Sequence, residues 1–193
     1  MSSTRALTAA GLALIVALST GCAGVVVGGA AAGASAATDR RSAGSLIDDQ
    51  LIELKATQVL HEAESLASQV HANFTSYNGL LLISGEAPTE SLKLGVTNLV
   101  NNIPKVRQVY NEMALAAPST LLSRSSDTYL SAKVKTALLA NEDVSANTVK
   151  VVSESGTVFL MGLVTRSEAE RVTQVVRQVK GVQRVVKLFE YVS

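Results

Sequence analysis

Two segments of the chain, 74–85 and 151–162, carry the same turn and strand signals in the same order. In each segment a pair of turn residues separates two β-prone runs, Asn78-Gly79 in the first and Ser155-Gly156 in the second. Such pairs supply the positive φ angles that a tight β-hairpin requires. The glycines expected to close the second strand of each hairpin, Gly85 and Gly162, are separated by the same interval as the turn glycines. These repeated signals predict that the chain contains two copies of one fold.

Amphipathic helices are predicted on both sides of each hairpin. After the second hairpin, Thr165 and Glu168 form a capping box, in which a hydroxyl and a carboxylate each satisfy a free backbone amide, and Gly181 is expected to stop the helix. In the first half, Pro88 is expected to open the equivalent helix and Pro104 to end it. Two matching apolar stripes precede the hairpins: Ile52, Leu54, Ala56, Val59 and Leu60 in the first half, and Leu130, Ala132, Val134, Ala137 and Leu138 in the second.

Each half is thus predicted to contain, in order, a helix, two strands, a second helix and a third strand. The third strands correspond to the β-prone runs at 106–115 and 182–192. A three-stranded sheet packed against two helices is a two-layer unit. We predict an α+β fold of two tandem αββαβ domains. The predicted boundaries are 46–116 and 124–193, joined by a linker at 117–123.

The N-terminus has the three parts of an export signal. Arg5 is followed by an apolar run over 6–18 and by small residues that lead to Cys22. The run is too short for a stable transmembrane span, and a single cysteine cannot form an internal disulfide. We predict that residues 1–21 are removed as a signal peptide and that Cys22 is lipidated; the alternative is an ordinary cleaved signal that leaves a free thiol.

Residues 22–45 differ in composition from the rest of the chain, since Gly, Ala, Val and Ser predominate there. Small side chains bury little area, so we predict a flexible tether between the lipid and the folded domains. The alternative is that Val25, Val26 and Val27 add a strand or lie against the bilayer.

Charge divides the two halves, although the whole chain carries a net charge of only +1. Residues 46–116 contain 4 basic and 8 acidic residues, whereas residues 124–193 contain 10 basic and 7 acidic residues. The partners of the two domains are therefore expected to differ.

Residues suited to catalysis or metal binding do not stand at the spacings that such sites require. His61 and His71 have no cysteine or close acidic cluster at ligand spacing, and no serine lies in a nucleophile-elbow pattern. We therefore predict no catalytic residue, no metal and no cofactor.

The αββαβ pattern resembles the BON domain, a bacterial unit, in the glycine after the second strand, the acidic helix start and the closing β-run. The resemblance covers nearly all of the mature chain twice, and segments 38–42, 109–112 and 158–165 are especially similar to the dual-BON outer-membrane lipoproteins. Thr20-Gly21-Cys22 resembles the end of a bacterial lipoprotein signal, and in that family the absence of Asp after the cysteine, where this chain has Ala23, implies sorting to the outer membrane, facing the periplasm. The resemblance also implies binding of anionic phospholipid by the second domain, without catalysis, together with roles in envelope integrity and cell division.

The basic charge of the second domain allows three interpretations: a solvated surface, nucleic-acid binding, or contact with an anionic membrane. An exported protein rarely meets nucleic acid, so we exclude that partner. On the helix after Asp127, Tyr129 is expected to project outward beside Lys133, an arrangement typical of an interfacial anchor, although packing of Tyr129 on a neighbouring loop is an alternative. With the resemblance, we predict binding of anionic phospholipids such as phosphatidylglycerol by Arg124, Thr128, Tyr129, Lys133 and Lys135.

An adaptor that recruits or stabilises envelope proteins is the alternative function. In that case the acyl chains alone would contact the membrane.

Overall fold

The computed structural model describes residues 39–193, apart from the side chains of Leu121 and Leu122. The predicted signal peptide 1–21, Cys22 and the part of the predicted tether up to residue 38 lie outside the described residues. Among the described residues, no helix combines the length and the apolar character needed to cross a membrane.

The first domain has the predicted order of elements, with one extra helical turn and a divided last strand. Strands β1 and β2 form an antiparallel hairpin, and β3 and β4 both pair parallel to β2. Its elements are α1 (Ala43–Glu62), α2 (Glu64–Ala67), β1 (His71–Tyr77), β2 (Leu80–Ala87), α3 (Glu90–Val100), β3 (Gln108–Asn111) and β4 (Ala114–Leu115).

The second domain repeats this order with a continuous last strand. Strands β5 and β6 are antiparallel, and β7 pairs parallel to β6. Its elements are α4 (Leu121–Leu139), a 3-10 turn (Ala146–Thr148), β5 (Val149–Glu154), β6 (Thr157–Val164), α5 (Arg166–Arg177) and β7 (Arg184–Tyr191). The prediction of an α+β fold with two αββαβ units is confirmed.

Both hairpin turns have the backbone that the sequence predicts. The φ angles are 52° and 76° at Asn78 and Gly79, and 46° and 75° at Ser155 and Gly156. Two successive positive φ angles match the twist of the flanking strands, which fixes the register of each hairpin.

The second glycine of each hairpin has a different role from the predicted one. Gly162 lies inside β6, which continues to Val164, and Gly85 lies inside β2. A Cβ built on Gly162 would stand 2.5 Å from the carbonyl oxygen of Thr148 on the neighbouring segment. These positions therefore need glycine because two backbones approach closely, not because the strand ends there.

Helix boundaries also differ from the predictions, because local capping residues determine them. Helix α1 begins in the predicted tether after Ser42, whose hydroxyl accepts a hydrogen bond from the Ser45 amide. Helix α4 begins in the predicted linker after Thr120, and α3 begins after Thr89 and not at Pro88. Hydroxyl side chains are strong N-caps, and they outweigh composition here.

Two helix ends and one strand also differ from the predictions. Helices α3 and α5 end at Val100 and Arg177, before the predicted stops at Pro104 and Gly181. The last strand of the first domain is divided where the Asn111 side chain accepts a hydrogen bond from the Met113 amide.

One stripe of each first helix faces the core. The buried side chains occupy equivalent positions in the two halves: Ile52, Ala56 and Leu60 of α1, and Leu130, Val134 and Leu138 of α4. The assignment of Leu54 and Ala132 to these stripes is wrong, since neither is buried in the core. Each lies about 200° around the axis from the first buried residue of its stripe, which places it on the opposite face.

The two sheets pack against each other through the faces that their own helices leave uncovered. Along β2, Leu81 and Ile83 face the helices, while Leu80 and Leu82 face the other domain. The inter-sheet cluster consists of Tyr77, Leu80, Leu82, Phe159, Met161 and Leu188. Residues 40–193 consequently form one compact unit with the helices on its outer sides.

Polar contacts surround this inter-sheet cluster. The Tyr77 hydroxyl donates to the Thr148 carbonyl at 3.2 Å, and Lys150 pairs with Glu53 at 2.6 Å. Arg107 pairs with Glu190 at 3.1 Å. The acidic and basic halves thus contribute ion pairs to each other.

Candidate lipid-facing surface

Helix α4 presents Tyr129 to solvent. Its buried face is formed by Leu130, Val134 and Leu138, and the Tyr129 side chain is 71% exposed, outside that face. The ring has no place in the hydrophobic core, so its apolar area is accessible.

The five residues predicted to bind lipid do not lie on a single line. At about 100° per residue, Thr128 and Lys135 project about 20° apart, whereas Tyr129 lies about 100° and Lys133 about 140° around the axis from Thr128. Both Thr128 and Lys135 are exposed. The outer half of the helix therefore carries two adjacent rows of accessible side chains.

Lys133 is tied to the turn that follows the neighbouring helix. Its Nζ atom donates to the carbonyl oxygen of Lys180 at 2.6 Å, which holds the ammonium between α4 and the turn after α5. This bond places the exposed Lys180 next to Lys133. Sequence reasoning missed Lys180 because it is far from Lys133 along the chain and no spacing rule links them.

Arg124 lies one helical turn before Thr128, and its side chain is partly buried. Its Nη2 atom donates to the Ser119 carbonyl at 3.0 Å, and its Nε atom is buried without a hydrogen-bond partner among the described residues. Arg124 lines a cavity with Asp127 and Thr128. The structure therefore brings Arg124 together with Thr128, whose hydroxyl donates to the Arg124 carbonyl at 3.1 Å, while the guanidinium is tied to Ser119.

Leu139 is a second residue that the sequence analysis missed. It is 68% exposed at the end of α4 and projects within about 20° of Thr128. The predicted apolar stripe stopped at Leu138, and nothing in the pattern distinguished an outward leucine. The accessible surface of α4, called here the α4 surface, consists of Thr128, Tyr129, Lys133, Lys135, Leu139 and the adjacent Lys180.

The α4 surface combines apolar and positive groups. Its three lysines form no ion pair among the described residues, and the helix's one carboxylate, Asp127, is buried. A surface of this composition has apolar area for an interface and an uncompensated charge for an anion.

A histidine and two carboxylates meet elsewhere in the structure. The Nδ1 atom of His71 lies 2.9 Å from Glu86 and 4.0 Å from Glu154. No acidic cluster stands at ligand spacing from His71 in the sequence, because these carboxylates are distant along the chain and reach it only in the fold. His61 is exposed on α1.

The first domain has an exposed apolar stripe of its own. Ile47, Leu51 and Leu54 are exposed and recur at helical spacing along α1. Leu51 directly precedes the buried Ile52, just as Tyr129 directly precedes the buried Leu130. The two first helices thus carry accessible apolar side chains at the same position of the fold.

Comparisons with known proteins identify the repeated unit. The BON domain family model matches residues 48–117 and 126–193. The chain is 35% identical over 173 residues to the outer membrane lipoprotein DolP of Haemophilus influenzae, covering 90% of each chain. It is also 35% identical over 155 residues to the 21 kDa hemolysin of Actinobacillus pleuropneumoniae, covering 80% of each.

A weak structural likeness is found to the solved C-terminal domain of CdsD, a structural protein of the type III secretion system of Chlamydia trachomatis. It is 13% identical with a TM-score of 0.31, and the match covers 69% of this chain and 96% of that one.

Proposed function

Because the chain belongs to the BON-domain family, as a dual-BON outer-membrane lipoprotein, we propose that it is a non-enzymatic envelope protein whose second domain binds anionic phospholipid. The proposal includes lipidation of Cys22, a periplasmic orientation and a role in maintaining the outer membrane. The single observation that supports lipid binding is the α4 surface.

The physical contributions of the α4 surface are separable. Tyr129 and Leu139 supply apolar area at headgroup depth, where amphipathic rings are favoured. Each lysine near an anionic surface contributes about 1 kcal/mol, and this attraction falls off within a Debye length of roughly 8 Å at physiological ionic strength. Binding is therefore expected to weaken as salt increases, but not to vanish.

The acyl chains and the α4 surface have different tasks. The several chains of a mature lipoprotein hold a protein stably on a membrane, whereas one chain holds it only marginally. The α4 surface is therefore proposed to orient the second domain and to select anionic lipid, while Cys22 provides the anchor.

Vesicle binding by a chain that begins at residue 23 tests the proposal, because this chain lacks the anchor. It is expected to bind phosphatidylglycerol-containing vesicles and not purely zwitterionic ones. Tyr129→Glu and Lys135→Glu are expected to weaken binding while the circular-dichroism spectrum is unchanged, since both side chains are exposed. Lys133→Glu is expected to weaken it too, with loss of the bond to Lys180.

Leu51→Glu is the matched control, because it introduces a negative charge at the position of α1 that Tyr129 occupies on α4. It is expected to bind vesicles like the wild type. Wild-type binding by folded Tyr129→Glu and Lys135→Glu proteins would remove the α4 surface from the function.

Lipidation has its own test. Cys22→Ser is expected to make membrane association weak and sensitive to salt, since only the α4 surface would remain, and mass spectrometry of the mature wild-type protein is expected to show acyl chains on residue 22. An unmodified Cys22 in the mature protein would refute the anchor.

A protein–protein adaptor is the second candidate function, and the exposed stripe of Ile47, Leu51 and Leu54 favours it. Photo-crosslinkers placed at residues 51 and 129 distinguish the two candidates in intact cells. Defined protein adducts from residue 51, with vesicle binding unaffected by substitutions on α4, would put the adaptor first.

A further inference from the structure

Three ligand-bearing side chains from both domains converge at the junction between the sheets. His71 and Glu86 are directly opposite each other on β1 and β2, and Glu154 ends β5 of the other domain. One ligand atom from each lies within 4.8 Å of the other two. All three side chains are nearly buried, with exposures of 12%, 5% and 8%.

One imidazole cannot compensate both carboxylates. Burial works to raise the pKa of Glu86, but hydrogen bonds from His71 and Ser119 outweigh it, so the pKa lies below its ordinary value. Burial raises the pKa of Glu154 above its ordinary value, despite a hydrogen bond from Asn73. The neighbouring carboxylates of Glu86 and Asp127 add to this rise, so the junction places acidic groups close together where little water can stabilise their charges.

An independent observation lies on the wall of the adjoining cavity. Asp127 and Ser153 are 8% and 7% exposed, and their Oδ2 and Oγ atoms have no hydrogen-bond partner among the described residues. Both line a cavity of about 370 Å³ together with His71 and Glu154. Buried polar atoms are normally paired, so two such atoms in one cavity are available to a group bound there.

In the first domain, the aspartate equivalent to Asp127 stabilises the fold through hydrogen bonds. Asp49, which occupies the position on α1 that Asp127 occupies on α4, accepts hydrogen bonds from the Ser76 hydroxyl at 2.7 Å and from the amides of Asn78 and Gly79 at 2.7 and 2.9 Å. It also pairs with Arg41 at 2.8 Å.

The Oδ2 atom of Asp127 and the hydroxyl of Ser153 make no counterpart of these bonds within the described part of the chain. Asp127 is therefore available for a contact that Asp49 does not make.

We propose that His71, Glu86 and Glu154 bind a divalent transition-metal cation, best matched by Zn²⁺, with Asp127 as a supporting carboxylate on the wall of the adjoining cavity. One imidazole nitrogen with carboxylate oxygens is a donor set that zinc accepts in a four-coordinate site. Arg124, the cationic side chain on the cavity wall, directs Nη2 to the Ser119 carbonyl. Because its ligands come from both domains, the metal would clamp them together.

Zinc titration of the full-length protein in detergent, stripped beforehand with a chelator, tests the proposal. Calorimetry is expected to show one Zn²⁺ per chain, and the melting temperature is expected to rise with zinc. His71→Ala and Glu154→Gln are expected to abolish both effects, and Asp127→Asn to weaken binding by about 10- to 100-fold, as for groups that support metal ligands.

His61→Ala is the matched control, since it removes the chain's other histidine from an exposed position, and it is expected to bind zinc like the wild type. If His71→Ala does not fold, the nearly isosteric Glu154→Gln carries the test. Absence of one-to-one binding, or equal binding by folded His71→Ala or Glu154→Gln protein, overturns the proposal and leaves the cluster as an ion-pair network between domains.

Discussion

Two aspartates at equivalent positions of the two domains differ in the hydrogen bonds that they accept. Asp49 is bound by a hydroxyl, two amides and a guanidinium, whereas the Oδ2 atom of Asp127 has no hydrogen-bond partner among the described residues. Asp49 therefore ties α1 to the first hairpin turn, while Asp127 is buried without such compensation.

Substitution of these aspartates is expected to have unequal effects on stability. Asp49→Asn removes the charge that Arg41 and the turn amides require, and breaking such a buried pair costs about 3–5 kcal/mol. Asp127→Asn in metal-free protein is expected not to lower the free energy of unfolding, because a poorly compensated buried carboxylate is removed. Urea unfolding of both variants measures the difference, and equal losses would contradict it.

Gly162 lies where the neighbouring backbone leaves no room for a Cβ atom. Gly162→Val is expected to lower the free energy of unfolding by about 1–3 kcal/mol, because a Cβ would stand 2.5 Å from the Thr148 oxygen and the backbones would have to move apart. Gly44→Ala is the control, since the nearest atom to its Cβ would be 3.7 Å away. A wild-type melting temperature for Gly162→Val would show that the two backbones separate freely.

At the scale of elements, the start of α5 is held by more than its own capping box. Thr165 and Glu168 satisfy each other's amides as predicted. Arg40, from the predicted tether, also contacts Glu168 at 2.7 and 2.8 Å and donates to the Leu163 carbonyl. The segment before α1 is therefore fixed to the second domain from residue 40 onward, where composition alone predicted flexibility.

The Arg40 guanidinium makes this contact dependent on pH. Its hydrogen bonds, more than those of Thr165, lower the pKa of Glu168 from 4.5 to about 2. The stabilising contribution is therefore fully present above about pH 4.5 and is lost as the pH falls through about 2. Arg40→Ala is expected to raise the Glu168 pKa toward 4.5, as measured by NMR titration of the carboxyl carbon; an unchanged pKa would show that the capping box alone sets it.

The sequence predicted best what depends on neighbouring residues. The hairpin turns at Asn78-Gly79 and Ser155-Gly156 and the capping box at Thr165 are set by interactions within a short stretch of chain. The helix starts were missed where Ser42 and Thr120 act as caps inside segments whose composition resembles a linker.

The candidate sites were only partly predictable for the same reason. The outward position of Tyr129 follows from helical spacing, but Lys180 reaches Lys133 only because α4 and α5 pack together. His71 and Glu154 meet across two domains, and no local pattern records that contact.

At the scale of the whole molecule, each domain provides half of a hydrophobic layer. Phe159, Met161 and Leu188 of the second domain are buried against the first sheet. An isolated second domain would expose this apolar face, which itself would adsorb to vesicles. Lipid binding is therefore best measured on the chain that keeps both domains.

The shared layer implies that the two domains unfold together. Phe159→Ala is expected to lower the free energy of unfolding by about 3–5 kcal/mol and to shorten hydrogen-exchange protection in β1 and β2 of the first domain as well as in β5 and β6. The reason is that Phe159 packs among Tyr77, Leu80 and Leu82. Leu54→Ala, on an exposed position of α1, is the control and is expected to change neither. Loss of protection confined to the second domain would show that this domain unfolds without the first and would contradict joint unfolding.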